Sequence, residues 1–149
     1  FEGQVKKIYD CAFQDCSSLE KIIIPETVTS IGSYAFSGCS SLTDVTLPAS
    51  ITSISSYAFQ DCKSLTVLPL TSNVTSIGSG AFSGCISLSN LTIPDGVTCK
   101  VTSIGYLAFQ GCTGITSLTI PEGVKTIEAL GFYEIPRLKN VYSYEWKEK

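Results

Sequence analysis

The chain has no histidine and few charges, and these two shortages remove most of the chemistry that its 149 residues could carry. Without histidine there are no Ser-His or Cys-His nucleophile pairs and no imidazole metal ligands. Charged residues make up 15% of the chain, and between Val28 and Ile120 only Asp44, Asp61, Lys63, Asp95 and Lys100 carry charge. Solubility over that stretch falls to Ser, Thr and the backbone. The net charge is −3, so the basic footprint of a nucleic-acid binder is missing. No apolar run approaches the roughly 18 residues that a membrane span needs. Acidic residues are scattered without paired spacing, and there is no phosphate-cradling glycine loop. Neither an enzyme activity nor a cofactor is expected. The chain also lacks an initiator methionine and a signal peptide, and reads as a processed or excised piece.

What the sequence does contain is a repeat. Residues 28–48, VTSIGSYAFSGCSSLTDVTLP, set a frame that returns at Val5, Ile51, Val74, Val101 and Val124, with successive starts 23, 23, 23, 27 and 23 residues apart. A fixed period of this size marks a solenoid, whose units bury their apolar faces only by stacking. Each unit opens on a β-branched stretch such as Val28-Thr-Ser-Ile31, which favours a strand. A turn at Gly32, Ser55, Gly78 or Gly105 follows. Ala-Phe comes next, at 35–36 and its equivalents, in a segment that reads as a single helical turn. Asp15, Gly38, Asp61, Gly84 and Gly111 close that turn, being residue types that tolerate the left-handed conformation. A second strand then reads L-x-x-V-x-L-P. Alternation puts Val45 and Leu47 inward and Asp44 and Thr46 outward, and Pro48 ends the strand. Stacked, such units give two parallel sheets with Phe13, Phe36, Phe59, Phe82, Phe109 and Phe132 as one inward column. Leu19, Leu42, Leu65, Leu88, Ile115 and Leu138 form another.

The composite pattern L-x-x-V-x-L-P-x-x-I-x-x-I-x-x-x-A-F-x-x-C, running from residue 5 to about 141, resembles the BspA-like leucine-rich repeats. The resemblance implies a β-rich α/β, right-handed, curved solenoid of about six 23-residue repeats. It also implies a surface or secreted protein that adheres to or binds other proteins, such as a host or matrix protein. The whole chain, 1–149, is expected to be one domain, monomeric, with a C-terminal cap over about 135–149.

Several departures from the frame carry their own expectations. Phe1 falls on an inward strand position, so the chain begins inside a repeat. In the third repeat the proline moves to Pro69, an outward place, which removes a ladder donor and weakens the join between coils. Asn73-Val-Thr and Asn90-Leu-Thr are formal glycosylation sequons that the repeat threonines also generate by chance. The fourth repeat carries an extra Val97-Thr-Cys-Lys100, read as a bulge or a binding loop. In the last repeat Ile135 replaces cysteine, and Tyr142, Tyr144 and Trp146 precede a charged tail. These aromatics suit either a cap over the end of the core or a binding stripe.

Cys16, Cys39, Cys62, Cys85 and Cys112 share one frame position, so they form a column with neighbours about 5 Å apart. Disulfides or a metal-thiolate row would use that proximity, and buried free thiols would equally fill it. An odd total of 7 cysteines and no paired C-x-x-C spacing favour buried, reduced thiols, with Cys99 in the insertion the most reactive.

The candidate ligand surface is the outward strand face. One row reads Ile23, Thr46, Pro69, Thr92, Thr119 and Tyr142, and the next Lys21, Asp44, Val67, Asn90, Ser117 and Asn140. These positions vary while the inward ones are nearly constant, which suits recognition of a protein and equally suits a spacer without its own ligand. A glycan-binding face is the third reading, with Tyr142 as its aromatic platform.

Overall fold

The computed structural model describes residues 4–67, 70–93 and 100–143. Phe1, Pro69, Cys99, Tyr144 and Trp146, with the expectations attached to them, lie outside those residues, as do most of the insertion and the last part of the expected cap.

Each repeat forms a coil. The V-T-S-I openings give two-residue strands: β1 (Lys7–Ile8), β3 (Ser30–Ile31), β5 (Ser53–Ile54), β6 (Ser76–Ile77), β8 (Ser103–Ile104) and β10 (Thr126–Ile127). The L-x-x-V-x-L stretches give β2 (Lys21–Ile23), β4 (Asp44–Thr46), β7 (Asn90–Thr92), β9 (Ser117–Ile120) and β11 (Asn140–Ser143). Every pairing is parallel and follows the repeat, as in Lys7 opposite Ser30 and Lys21 opposite Asp44. The four-residue insertion leaves the register intact, since Ser76 pairs with Ser103. The proline that follows the second strand supplies a carbonyl to a tight turn: Val28, Ile51 and Val124 donate to Pro25, Pro48 and Pro121.

The expected helical turn is not there: among the described residues no helix occurs, and the Ala-Phe segment is a run of β-turns. Its backbone N–H groups are divided between two destinations. Ala12, Gln14 and Cys16 donate within their own coil to the carbonyls of Tyr9, Cys11 and Phe13. Cys11, Phe13 and Asp15, in alternation with them, donate to Ser33, Ala35 and Ser37 of the next coil at 2.9, 2.8 and 2.7 Å. A helix would tie each N–H four residues back in its own segment and leave these coil-to-coil rungs unmade. The same three rungs recur at every junction through to Leu107, Phe109 and Gly111, which donate to Ala129, Gly131 and Tyr133.

Two left-handed residues per coil make this path possible, with φ between 55° and 75°. One column is the expected Asp15, Gly38, Asp61, Gly84 and Gly111, completed by Glu134. The other, Cys11, Tyr34, Tyr57, Gly80, Leu107 and Leu130, is a finding, because Tyr and Leu rarely adopt this conformation. At Gly80 a side chain would sit 2.2 Å from the Tyr57 ring, which leans across it.

The core fills the coils as expected. Phe36, Phe59, Phe82 and Phe109 are fully buried, and all six rings stack face to face at centroid distances of 5.2–5.6 Å, within 10° of parallel. That spacing lies in the favourable range for offset aromatic pairs. Leu42, Leu65, Leu88 and Ile115 are buried beside them, while Leu19 and Leu138 in the end coils are half-buried.

Candidate functional site

The outward strand face is assembled by register. Lys21 stands opposite Asp44 and Ile23 opposite Thr46 on β2–β4. Asn90, Ser117 and Asn140 align on β7–β9–β11, as do Thr92, Thr119 and Tyr142. Asn90 and Thr92 are placed by this register alone. The face is therefore two patches and not the single continuous one that the sequence suggested. The long-strand ladder divides into β2–β4 and β7–β9–β11, and residues 65–67 and 70–71 form no strand. Val67, 72% exposed, lies at that division, and Pro69 is outside the described residues.

The first patch carries a charged pair beside an apolar side chain. Lys21 Nζ lies 2.8 Å from Asp44 Oδ2, and this hydrogen bond and charge raise the Lys21 pKa. Next to it Ile23 is 68% exposed and Thr46 is exposed. On the second patch Tyr142 is 58% exposed, Asn140 is exposed, and Ser117 and Thr119 are half-buried. Inward neighbours alternate with these as the pleat demands, with Leu118 buried and Val45 half-buried.

At the division, other groups hold the coils together. The third coil has no proline before its turn, and there Val74 donates to the carbonyl of Thr71 while Thr71 Oγ1 accepts from the Asn73 amide. The Asn73 side-chain nitrogen donates to the Ala49 carbonyl at 2.9 Å, and its oxygen accepts from Lys100 Nζ at 3.2 Å. The nitrogen of this sequon is thus a bolt between coils.

The cysteine column is a ladder of free thiols. Cys39, Cys62, Cys85 and Cys112 are buried, and each Sγ–H donates to a phenylalanine carbonyl of the preceding coil: Phe13, Phe36, Phe59 and Phe82, at 3.1–3.2 Å. Each of those carbonyls also accepts a backbone N–H from its own coil, so the thiol occupies its second lone pair. Burial pushes the Cys39 thiol up to about 11, Cys62 and Cys112 up to about 12, and Cys85 well above the ordinary value. Such thiols are inert as nucleophiles. Cys16 departs from the expectation: it is exposed, because no coil of the chain lies outside the first one. No set of three potential metal-ligating residues comes together among the described residues.

Two surface features escaped the sequence reading. Tyr34 and Tyr57 stack at 4.8 Å on the turn side, and their recurrence 23 residues apart was the available signal. An apolar pocket of about 350 Å³ opens on the first coil, lined by residues including Ile8, Tyr9, Phe13 and Ile24.

Stacked 23-residue coils of parallel strands around a leucine and phenylalanine core define a leucine-rich-repeat solenoid. The chain belongs to the BspA type leucine rich repeat region family, which it matches in 6 copies over residues 1–99 and 97–145. Solved structures agree. A T. pallidum leucine rich repeat protein superposes with a TM-score of 0.84 at 32% identity, covering 95% of this chain and 65% of that one. A leucine-rich repeat protein from Bacteroides ovatus gives 0.71 at 31% identity, covering 92% and 40%. A leucine rich cell surface protein from Faecalibacterium prausnitzii gives 0.69 at 33% identity, covering 93% and 43%. The chain thus spans less than two thirds of each of these chains. Among curated proteins nothing matches it.

Proposed function

We propose that residues 1–149 are a non-enzymatic binding domain of a cell-surface or secreted protein, with a protein ligand held on the outward strand face. The supporting observation is the pair of register-aligned patches, where large apolar side chains stand in water beside polar ones: Ile23 beside Lys21 and Asp44, and Tyr142 beside Asn140 and Thr119. Exposed aliphatic and aromatic groups ringed by polar residues are the composition of protein interfaces. The surface location draws on the F. prausnitzii relative, a cell surface protein. The face is complete in one chain and needs no second copy.

The test is a binding screen of the chain against immobilised extracellular-matrix proteins and a glycan array. Saturable binding to a protein, abolished by Ile23→Ser with Tyr142→Ser and unaffected by Tyr106→Ser on the turn side, is the expected result. Binding that survives the double substitution, or binding confined to glycans, overturns the reading.

A further inference from the structure

The two ends of the solenoid are complementary halves of an interface that the chain already makes five times. On the turn side, each coil gives three N–H groups to three carbonyls of the coil that follows. The last coil therefore ends on the N–H groups of Leu130, Phe132 and Glu134, and the first coil begins on the carbonyls of Asp10, Ala12 and Gln14. Among the described residues none of these six groups has a partner. On the short-strand side the polarity is reversed. There the later coil donates, as Lys125 does to Thr102 and Glu128 to Ile104, so the last coil ends on carbonyls. The apolar columns stop in the same way. Phe13 is 36% exposed over the first-coil pocket, which Val5 and Tyr9 also line at 53% and 74% exposure. The last coil leaves Ile127, Leu130 and Val141 exposed by 42–54%.

From this we infer that the first coil is a docking surface for the last coil of a second copy of this chain. Copies then join head to tail and continue the phenylalanine stack and the three-rung ladder across the joint. The polarity selects this arrangement. Stacked column on column, two first coils would set carbonyls against carbonyls, whereas a last coil brings N–H groups to them. A joint of unlike ends does not close on itself, so the product is an open series of lengths and not a dimer. The charges at the joint are mixed. Lys139 comes over Glu20, but Glu134 meets Asp15 and Lys125 meets Lys6 in the shared columns. The association is thus carried by apolar burial and backbone pairing and strengthens as salt screens the like charges.

Sedimentation velocity across a wide concentration range tests this with two surface variants. Tyr9→Asp places a charge in the first-coil pocket. Leu130→Asp places one on the last coil, at a left-handed position that aspartate tolerates. Both side chains lie outside the core, and circular dichroism verifies that each variant folds. The wild type is expected to form a concentration-dependent ladder of species beyond the dimer, growing with salt, and each variant alone is expected to be monomeric. Mixed, the two should form a one-to-one dimer and nothing longer, because each still carries one intact end. A wild type that stays monomeric at every concentration overturns the inference, even if Tyr9→Asp removes binding of a hydrophobic dye, since something else then occupies the pocket. A closed dimer abolished by Tyr9→Asp alone also overturns it. Neither substitution touches Ile23 or Tyr142, so the outcome is independent of ligand binding.

Discussion

The turn side and the long-strand side of the coils share one period, yet only the turn side is continuous. Its three rungs, its phenylalanine stack and its thiol bonds pass through every junction. The long-strand ladder divides at the third coil, where the sequence reads Val67-Leu68-Pro69 in place of an alternating strand. The short strands divide as well, between β3 and β5. The difference lies in what each side leaves free. On the turn side every alternate N–H is committed to the next coil and the interleaved side chains are core, so few residues fit. On the strand side half the residues face water, and the ladder survives interruption because the other side holds the stack. Architecture is carried by one side, and the other is open to variation of the kind recognition uses.

The largest way to break this comparison is at the stack. Phe82→Ala should lower the unfolding free energy by about 3–5 kcal/mol, the usual cost of emptying a fully buried aromatic site. Phe13→Ala, whose ring is 36% exposed in the first coil, should cost clearly less. Urea titrations measure both. Equal losses would mean that the stack does not carry the turn side.

The next test moves the short-strand division. A side chain at Gly78 would come within 2.8 Å of the Ile54 carbonyl oxygen and the Ser56 nitrogen, both backbone atoms that cannot swing aside. In the intact chain Gly78 donates to Ile54. At the equivalent place in the third coil stands Ser55, whose hydroxyl takes the Ile31 carbonyl, and there β3 and β5 are not paired. Gly78→Ala should therefore cost about 1–3 kcal/mol by leaving a carbonyl unbonded, and hydrogen exchange should show lost protection between β5 and β6. Gly78→Ser should cost less, because its hydroxyl reproduces the third-coil arrangement. If serine is as damaging as alanine, Ser55 is not what keeps the third coil bonded.

These residues also mark how far the sequence could be read. The period, the inward phenylalanines and leucines, the outward rows and the second left-handed column were all legible. Each rests on a residue type with one dominant reason to recur. The helical turn was misread because Ser-Tyr-Ala-Phe-Ser-Gly has ordinary helix-compatible composition, and its true partners lie 22 residues away in the next coil. No local pattern reports that. The left-handed Tyr34 and Leu107 were hidden for the same reason, since stacking and not propensity holds them there. The division of the binding face was half legible: the displaced proline pointed to the third coil, but the extent of the break depended on how the coils settle around it.

The thiol ladder gives a smaller effect with a defined sign. A thiol whose folded pKa lies above its unfolded one contributes stability that is complete below the unfolded value and lost as pH rises through the folded one. The ordinary value is 9.0, and burial raises Cys39 to about 11 and Cys62 and Cys112 to about 12. Stability should therefore hold below about pH 9 and fall between there and about pH 12. Lysine and tyrosine also titrate in that range, so the informative quantity is the difference between variants. Cys62→Ala should flatten the decline of the urea midpoint with pH, whereas substitution of the exposed Cys16 should leave its slope unchanged. An identical slope in all three proteins would show that the ladder does not couple to folding.

The smallest expected effect lies on the outward face, where the comparison makes its most demanding claim. Lys21 and Asp44 form an ion pair at 2.8 Å across β2–β4, but their side chains remain 61% and 51% exposed. Water and salt screen such a pair, and two side chains lose freedom in making it, so its coupling is roughly 0–1 kcal/mol. A double-mutant cycle of Lys21→Ala and Asp44→Ala, followed by urea unfolding at low and high salt, should find that small value shrinking further as salt rises. Ligand binding by the same variants should respond differently. If the first patch is part of a recognition surface, removing either charge changes affinity or its salt dependence while stability stays nearly constant. A coupling of several kcal/mol would make the pair structural and place the strand side among the parts that hold the fold. Unchanged stability together with unchanged affinity would take Lys21 and Asp44 out of the binding face and leave the second patch, around Tyr142, to carry it.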